Sequence, residues 1–207
     1  MALPIEKLGT VYGERTETID PDRAERYAAA TNDDNPAYLE GKYAPPVFGV
    51  VPTWGAMGLA VADVVPSEAM LMVVHGEQDM HFHQPLLPGM TLRMRSEAYS
   101  VRVGGSGTRF TIRVTADDGG EPVLEEYVTM FIRGMADGES AGPDKPDHTF
   151  PEDARSRPVG EFTVHVDDDQ TYRYSEASGD MMPIHLDESV AKSVGLPGII
   201  AHGLPQF

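Results

Sequence analysis

The sequence predicts an α+β fold in which an antiparallel sheet wraps around one buried helix. Three observations lead there. Residues 50–65 (VVPTWGAMGLAVADVV) are apolar on nearly every side of a helix, as a buried helix is. The segments after them carry β-branched residues in partial alternation between Gly, Pro and Asp turns, the pattern of an antiparallel meander. The opening pattern of the chain then returns after residue 160, which makes the chain an internal repeat.

In chain order, residues 14–19 read as a first strand. Asp20 is placed to cap a short helix over residues 22–31, with Pro21 at its first position. The cluster Asn32-Asp33-Asp34-Asn35-Pro36 ends that helix. Pro52 is tolerated near the start of the buried helix because first-turn N–H groups have no intrahelical partner. Strands follow at 70–82, 91–103, 108–116 and 122–133, separated by Leu87-Pro88-Gly89, Gly104-Gly105-Ser106-Gly107 and Asp117-Asp118-Gly119-Gly120. Residues 135–160 have no period and read as a linker. Residues 162–166 read as a strand, Asp167 or Asp168 as the next helix cap, and residues 188–194 as a helix capped at Asp187 or Glu188. The expected organisation is a first unit at 1–134, a linker at 135–160, and the start of a second unit at 161–207.

Aligned without gaps at an offset of 147, residues 19–38 and 166–185 share seven identities: Asp20/Asp167, Asp22/Asp169, Arg26/Arg173, Tyr27/Tyr174, Ala30/Ala177, Asp33/Asp180 and Pro36/Pro183. Chance would give roughly one or two. The second copy is incomplete within these residues. His202-Gly203 stands where Phe48-Gly49 leads into the buried helix of the first copy, and no second meander follows.

Composition narrows the function. Acidic residues number 33 against 16 basic, a formal net charge of −17. Such a field repels nucleic-acid phosphates and anionic lipid surfaces and keeps the protein soluble. A small polyanion such as coenzyme A needs only a few local cations and N–H groups, and stays compatible. With no cysteine, disulfides, thiolate metal sites and cysteine nucleophiles are excluded. No run of about 18 apolar residues and no secretory leader is visible, so the expected location is the cytoplasm.

The chemistry concentrates in residues 172–203, YRYSEASGDMMPIHLDESVAKSVGLPGIIAHG. Asp180 and His185 flank Pro183, which stiffens the loop, and a carboxylate beside an imidazole makes a general acid/base pair for adding or removing water. The carboxylate raises the proton affinity of the ring, so each tunes the other. Gly203 stands where a helix should begin. Its backbone N–H there would stabilise negative charge developing on a bound oxygen, and its lack of a side chain allows close approach.

This segment resembles the signature of the MaoC-like dehydratases and (R)-specific enoyl-CoA hydratases, in Tyr174, Ser178, Gly179, Asp180, Pro183, Ile184, His185, Ile200, Ala201, His202 and Gly203. Residues 73–92 (VVHGEQDMHFHQPLLPGMTL) are similar to the first half of eukaryotic-type hydratase 2. The resemblance implies a double hot dog fold and reversible hydration of trans-2-enoyl-CoA to 3-hydroxyacyl-CoA. It implies Asp180 and His185 as the dyad, Gly203 as oxyanion donor, and no cofactor beyond the coenzyme A of the acyl-CoA substrate. It also implies a first copy that shapes the acyl-tail pocket, which makes Tyr38, Trp54 and Met57 the candidate substrate-binding residues. At the position of the family's Asn, which helps hold the catalytic loop, this chain has Met182, whose side chain forms no comparable hydrogen bonds.

Plainer roles stand beside these. An Asp/His pair near a turn is often capping. His202 reads as structural, and Trp54 and Met57 as core. Zinc is disfavoured because His185 and His202 match no ligand spacing, and His75, His81 and His83 lack a ligand-type partner and read as exposed or edge-strand residues. The first copy lacks the dyad, having Tyr38 at the His position, and a phenol is a poor base near neutrality. A non-catalytic acyl-CoA-binding scaffold and a hot dog thioesterase are the alternative functions. Residues 1–207 alone are expected to be inactive, with Ile199, Ile200, Leu204 and Phe207 fraying, docking onto the first unit or driving self-association, a homodimer being the expected form.

Overall fold

The computed structural model describes residues 1–146, 149–161 and 163–206. Phe162 and Phe207, which the sequence places in a strand and in the terminal apolar cluster, lie outside the described residues.

The first helix, α1 (Pro21–Ala30), begins as its sequence dictates. The Asp20 carboxylate accepts from Asp22 N, and Pro21 takes the first helical position. Its buried face is Ala24, Tyr27, Ala28 and Ala30. A single turn, α2 (Pro36–Leu39), is capped by Asn35, whose side chain accepts from Ala37 N. The long helix α3 (Val50–Val64) is the hub. Its larger apolar residues Val50, Val51, Met57, Val61 and Val64 are buried, each worth about 1.5–3 kcal/mol. The expectation of burial on every side needs correction: Gly55, Gly58, Ala62 and Asp63 face solvent and Trp54 and Leu59 are half-buried. The exposed stripe is made largely of residues too small to need cover. The 3-10 turn Pro46–Gly49 joins α3, and the resulting 19-residue segment Pro46–Val64 reaches the length and hydropathy of a membrane span; 61% of its most apolar window is buried inside the fold.

Five antiparallel strands curl around α3: β1 (Val11–Thr18), β2 (Val73–Phe82), β3 (Thr91–Gly104), β4 (Gly107–Asp118) and β5 (Glu121–Arg133), in the order β1-β3-β4-β5-β2. Only β3, β4 and β5 form a meander; β2 crosses over to the far edge, beside β5. Gly119 and Gly120, both at positive φ, make the two-residue β4–β5 turn. Along β3, Leu92, Met94, Ser96 and Ala98 alternate inward, and Ser96 Oγ donates to Ala56 O of α3 at 2.6 Å.

The expected linker is strapped to the first sheet over part of its length. Ala141 and Val101 exchange backbone hydrogen bonds at 2.8 and 2.9 Å, and Lys145 bridges Glu77 and Asp79 of β2. Residues 163–166 form no strand, with Val164 and Val166 exposed. The partner that β1 finds in β3 has no counterpart among the described residues of the second copy. Two short helices follow, α4 (Gln170–Ser178) and α5 (Glu188–Ser193). Asp187 caps α5 as expected, accepting from Ser189 N and Val190 N. The cap of α4 is Asp169, without a side-chain bond. Asp167 is drawn off instead by Arg173 at 2.7 Å and by Asn32 Nδ2 at 3.0 Å.

Candidate active site

The second copy is held by pairing with the first, α4 against α1. Tyr27 and Tyr174, mates at the repeat offset, meet at their hydroxyls (3.4 Å) with ring centroids 5.4 Å apart. Both are buried, and burial pushes the Tyr27 phenol up to about 12 and that of Tyr174 higher still. Arg23 of α1 donates to the last carbonyls of α4, Ala177 O and Ser178 O, both at 2.7 Å. A cation at a helix C-terminus satisfies orphan carbonyls and opposes the negative end of the dipole. In return Arg173 donates to Ala29 O and to Asn32 Oδ1. Gly179 ends α4 in the left-handed region at φ +83, and a Cβ there would lie 2.9 Å from the Arg23 guanidinium.

These contacts place the loop that carries Asp180. Asp180 Oδ1 accepts from Met182 N at 3.1 Å, and its repeat mate Asp33 accepts from Asn35 N at 3.0 Å, so the two copies share one Asx turn. The turn uses the backbone of residue 182 and is indifferent to its side chain. What Met182 loses is a cap. Asn35 caps α2 through its side chain, whereas the 3-10 turn Pro183–His185 has no side-chain cap.

His185 Nδ1 lies 2.7 Å from Ile200 O, and Thr171 Oγ1 donates to His185 O. A carbonyl can only accept, so Nδ1 carries the ring proton and Nε2 is the basic nitrogen. His202 is buried under His185, the rings stacked with centroids 3.8 Å apart and 25° between planes. Its Nε2 faces Asp180 O at 3.2 Å and Ser175 Oγ at 3.3 Å, and lies 3.9 Å from Asp180 Oδ2. Burial holds the His202 pKa below 6.5, the charge of His185 adds to that, and Asp180 opposes it. His202 thus pins the backbone of Asp180 and supports the ring of His185 from below. Ile199, Ile200 and Leu204 are half-buried, and Leu204 packs on the core of the first copy.

One ligand-type atom from each of Asp180, His185 and His202 lies within 4.8 Å of the others. One nitrogen of each ring faces a carbonyl, which leaves the other nitrogen as the possible ligand atom, the usual arrangement of an oriented imidazole.

The other predicted residues have these settings. Gly203 is exposed and followed by the 3-10 turn Leu204–Gln206, not an α-helix. Met57 is core, Trp54 is half-buried against the core, and Tyr38 is half-buried on α2. Two surface grooves of about 380 Å³ each, one between β1 and α3 and one on the outer face of β2, β4 and β5, include none of these three in their walls. His81 and His83 are exposed, but His75 is half-buried and hydrogen-bonded to Gln78, and burial lowers its pKa against weaker opposing pulls that include the charge of Asp180. The sequence reading missed that link between the copies.

A curled antiparallel sheet around one long helix, with a second α1–α2-like element docked on the first, defines a repeated hot dog protein. The family comparisons agree with this class. Residues 40–134 match the MFE-2 hydratase 2 N-terminal domain, and residues 151–207 match the MaoC like domain. The chain belongs to the MaoC-like dehydratase and hydratase 2 family. It is 29% identical over 171 residues to a peroxisomal hydratase-dehydrogenase-epimerase of Neurospora crassa, covering 78% of this chain and 19% of that protein. It is 25% identical over 169 residues to a protein of Dictyostelium discoideum named "Probable enoyl-CoA hydratase 2", covering 76% and 56%. The crystal structure of a MaoC-like dehydratase from Phytophthora capsici superposes with a TM-score of 0.82 at 26% identity, over 97% of this chain and 73% of that one. The chain spans about a fifth and just over half of the length of the two curated relatives.

Proposed function

We propose that Asp180 and His185 catalyse reversible hydration of a trans-2-enoyl-CoA to a 3-hydroxyacyl-CoA. The observation that carries this reading is the fixed tautomer of His185: Ile200 O holds the proton on Nδ1 and leaves Nε2 basic, with the Asp180 carboxylate in the same cluster. The dyad takes a proton from water as the water oxygen bonds to the β-carbon of the enoyl group. It returns a proton to the α-carbon, and the thioester oxygen carries negative charge in between. Nothing beyond the coenzyme A of the substrate is required. The Gly203 N–H is the proposed oxyanion donor. Gly203 is exposed and leads into the 3-10 turn Leu204–Gln206, which supplies little helix dipole, so the donor acts here mainly through its own N–H.

The test uses the natural protein with crotonyl-CoA. Loss of the enoyl absorbance is expected, and Asp180→Asn or His185→Ala should each slow it by about 10²–10⁴-fold. Near-normal rates in either variant would remove the dyad assignment. Release of free coenzyme A would indicate a thioesterase. Tight binding without either reaction would indicate an acyl-CoA-binding scaffold.

A further inference from the structure

A bulge at the edge of the first sheet points at the second copy. β2 is an edge strand, paired among the described residues with β5 alone. His75 pairs with Met130 and Glu77 with the adjacent Thr129, which leaves Gly76 as the extra residue. In a regular strand, residues three apart point to opposite faces. The extra residue cancels that alternation, so His75 and Gln78 lie on one face, the inward one they share with their partners Met130 and Val128. There His75 Nε2 and Gln78 Oε1 meet at 2.9 Å. Gly76 suits the extra position, since a Cβ would come within 3.3 Å of Thr129 O.

Two further observations say what this pair faces. The charge of Asp180 reaches the His75 ring as the weakest of the influences on it, so the pair lies on the side of the first copy that the Asp180 loop approaches. The Gln78 Nε2 is buried and has no hydrogen-bond partner. With Oε1 accepting from His75, the amide presents its NH₂ end as an unused donor. A buried unsatisfied donor costs about 1–3 kcal/mol, a cost that a substrate acceptor would relieve.

We infer that the His75–Gln78 pair is the first copy's contribution to the site, with His75 orienting the amide and Gln78 Nε2–H donating to an acceptor oxygen of the acyl thioester. The inference rests on the proposed function for the identity of the ligand. Gln78 is a binding residue and His75 a positioning residue; neither moves a proton in the reaction.

The test is Gln78→Leu in the natural protein, read by crotonyl-CoA kinetics and by calorimetric binding of the unreactive butyryl-CoA. One neutral hydrogen bond corresponds to about threefold to tenfold. The dissociation constant for butyryl-CoA and the KM for crotonyl-CoA should rise by that factor, with kcat changed less. The variant removes one unsatisfied donor but takes the acceptor from His75 Nε2–H, so the KM-against-kcat split, which a merely structural glutamine would not produce, is the deciding readout. His75→Phe should reproduce the KM effect, and the exposed-site control His83→Ala should leave both constants alone. Unchanged binding and kinetics in Gln78→Leu would overturn the inference while the dyad stands. If the wild type binds butyryl-CoA without hydrating crotonyl-CoA, the dyad reading fails and the Gln78→Leu binding ratio still decides this one. If it binds no acyl-CoA, both fall.

Discussion

Replacing Glu126 with glutamine should make the protein more stable at pH 8 and change it little at pH 5. Glu126 lies on the inner face of β5, between Val114 of β4 and Met80 of β2, and is fully buried. Neither carboxylate oxygen has a hydrogen-bond partner. Thr53 of α3 is the nearby hydroxyl, but its proton is directed to Gly49 O and Val50 O, so it offsets little of the burial. Burial pushes the Glu126 pKa from 4.5 to about 8. Between those values the unfolded chain releases its proton and the native protein keeps it. Stability therefore falls as pH rises through the window and levels off above about pH 8. At about 1.4 kcal/mol per pKa unit, the penalty at pH 8 is about 4 kcal/mol. Glutamine does not titrate, so the difference between the two proteins isolates this one group. Urea denaturation of both from pH 5 to pH 8.5 is the measurement. Parallel stability curves would show that the carboxylate is solvated or paired when ionised, and that the buried-acid reasoning is wrong.

The remaining predictions concern the seam and the sheet. Arg23→Ala should cost about 1–3 kcal/mol by thermal melting, since it leaves two helix-end carbonyls without their charged donor; an unchanged melting temperature would show that water replaces it freely. Met182→Asn should raise stability by about 1 kcal/mol, because residue 182 (φ −59, ψ 123) already has the backbone conformation of the capping Asn35 (φ −61, ψ 117). No gain would mean that the turn is limited by something other than its cap. Gly107→Ala should cost about 1–3 kcal/mol by urea denaturation, as its Cβ would press on Ile132 O and sit 2.7 Å from the Phe131 ring; wild-type stability would show that β4 and β5 part easily there.

Local chemistry made much of the fold legible. Asp20-Pro21 announces α1, Gly119-Gly120 makes the hairpin, and the offset of 147 reappears as the Tyr27–Tyr174 contact. What was not legible depends on distant partners. Nothing within 70–82 says that β2 crosses to pair with β5. Asp167 has the composition of a cap but is taken by Asn32 of the other copy. The stacking of His202 under His185 brings together residues 17 positions apart through a loop with no period. The pairing of His75 with Gln78 was hidden by the spacing rule itself, since three apart on a strand reads as opposite faces unless the bulge is known.

The repeat lets the proposed function assign chemistry to one copy and not the other, with little difference in local scaffold. Both copies end their first helix at a buried tyrosine pair and turn on an aspartate that accepts from the backbone two residues on. Both then start a short helical turn at proline. Five residues after that aspartate, one copy has Tyr38 and the other His185. An imidazole whose one nitrogen is committed to a carbonyl presents a lone pair at the other, which a phenol in the same place does not offer. The first copy is left to other tasks: it satisfies the end of α4 through Arg23 and presents His75 and Gln78 at its sheet edge. A site assembled this way is sensitive to the seam. A residue such as Arg23, without touching a substrate, sets where Asp180 stands, because the carbonyls it holds belong to the two residues that lead into Gly179 and Asp180.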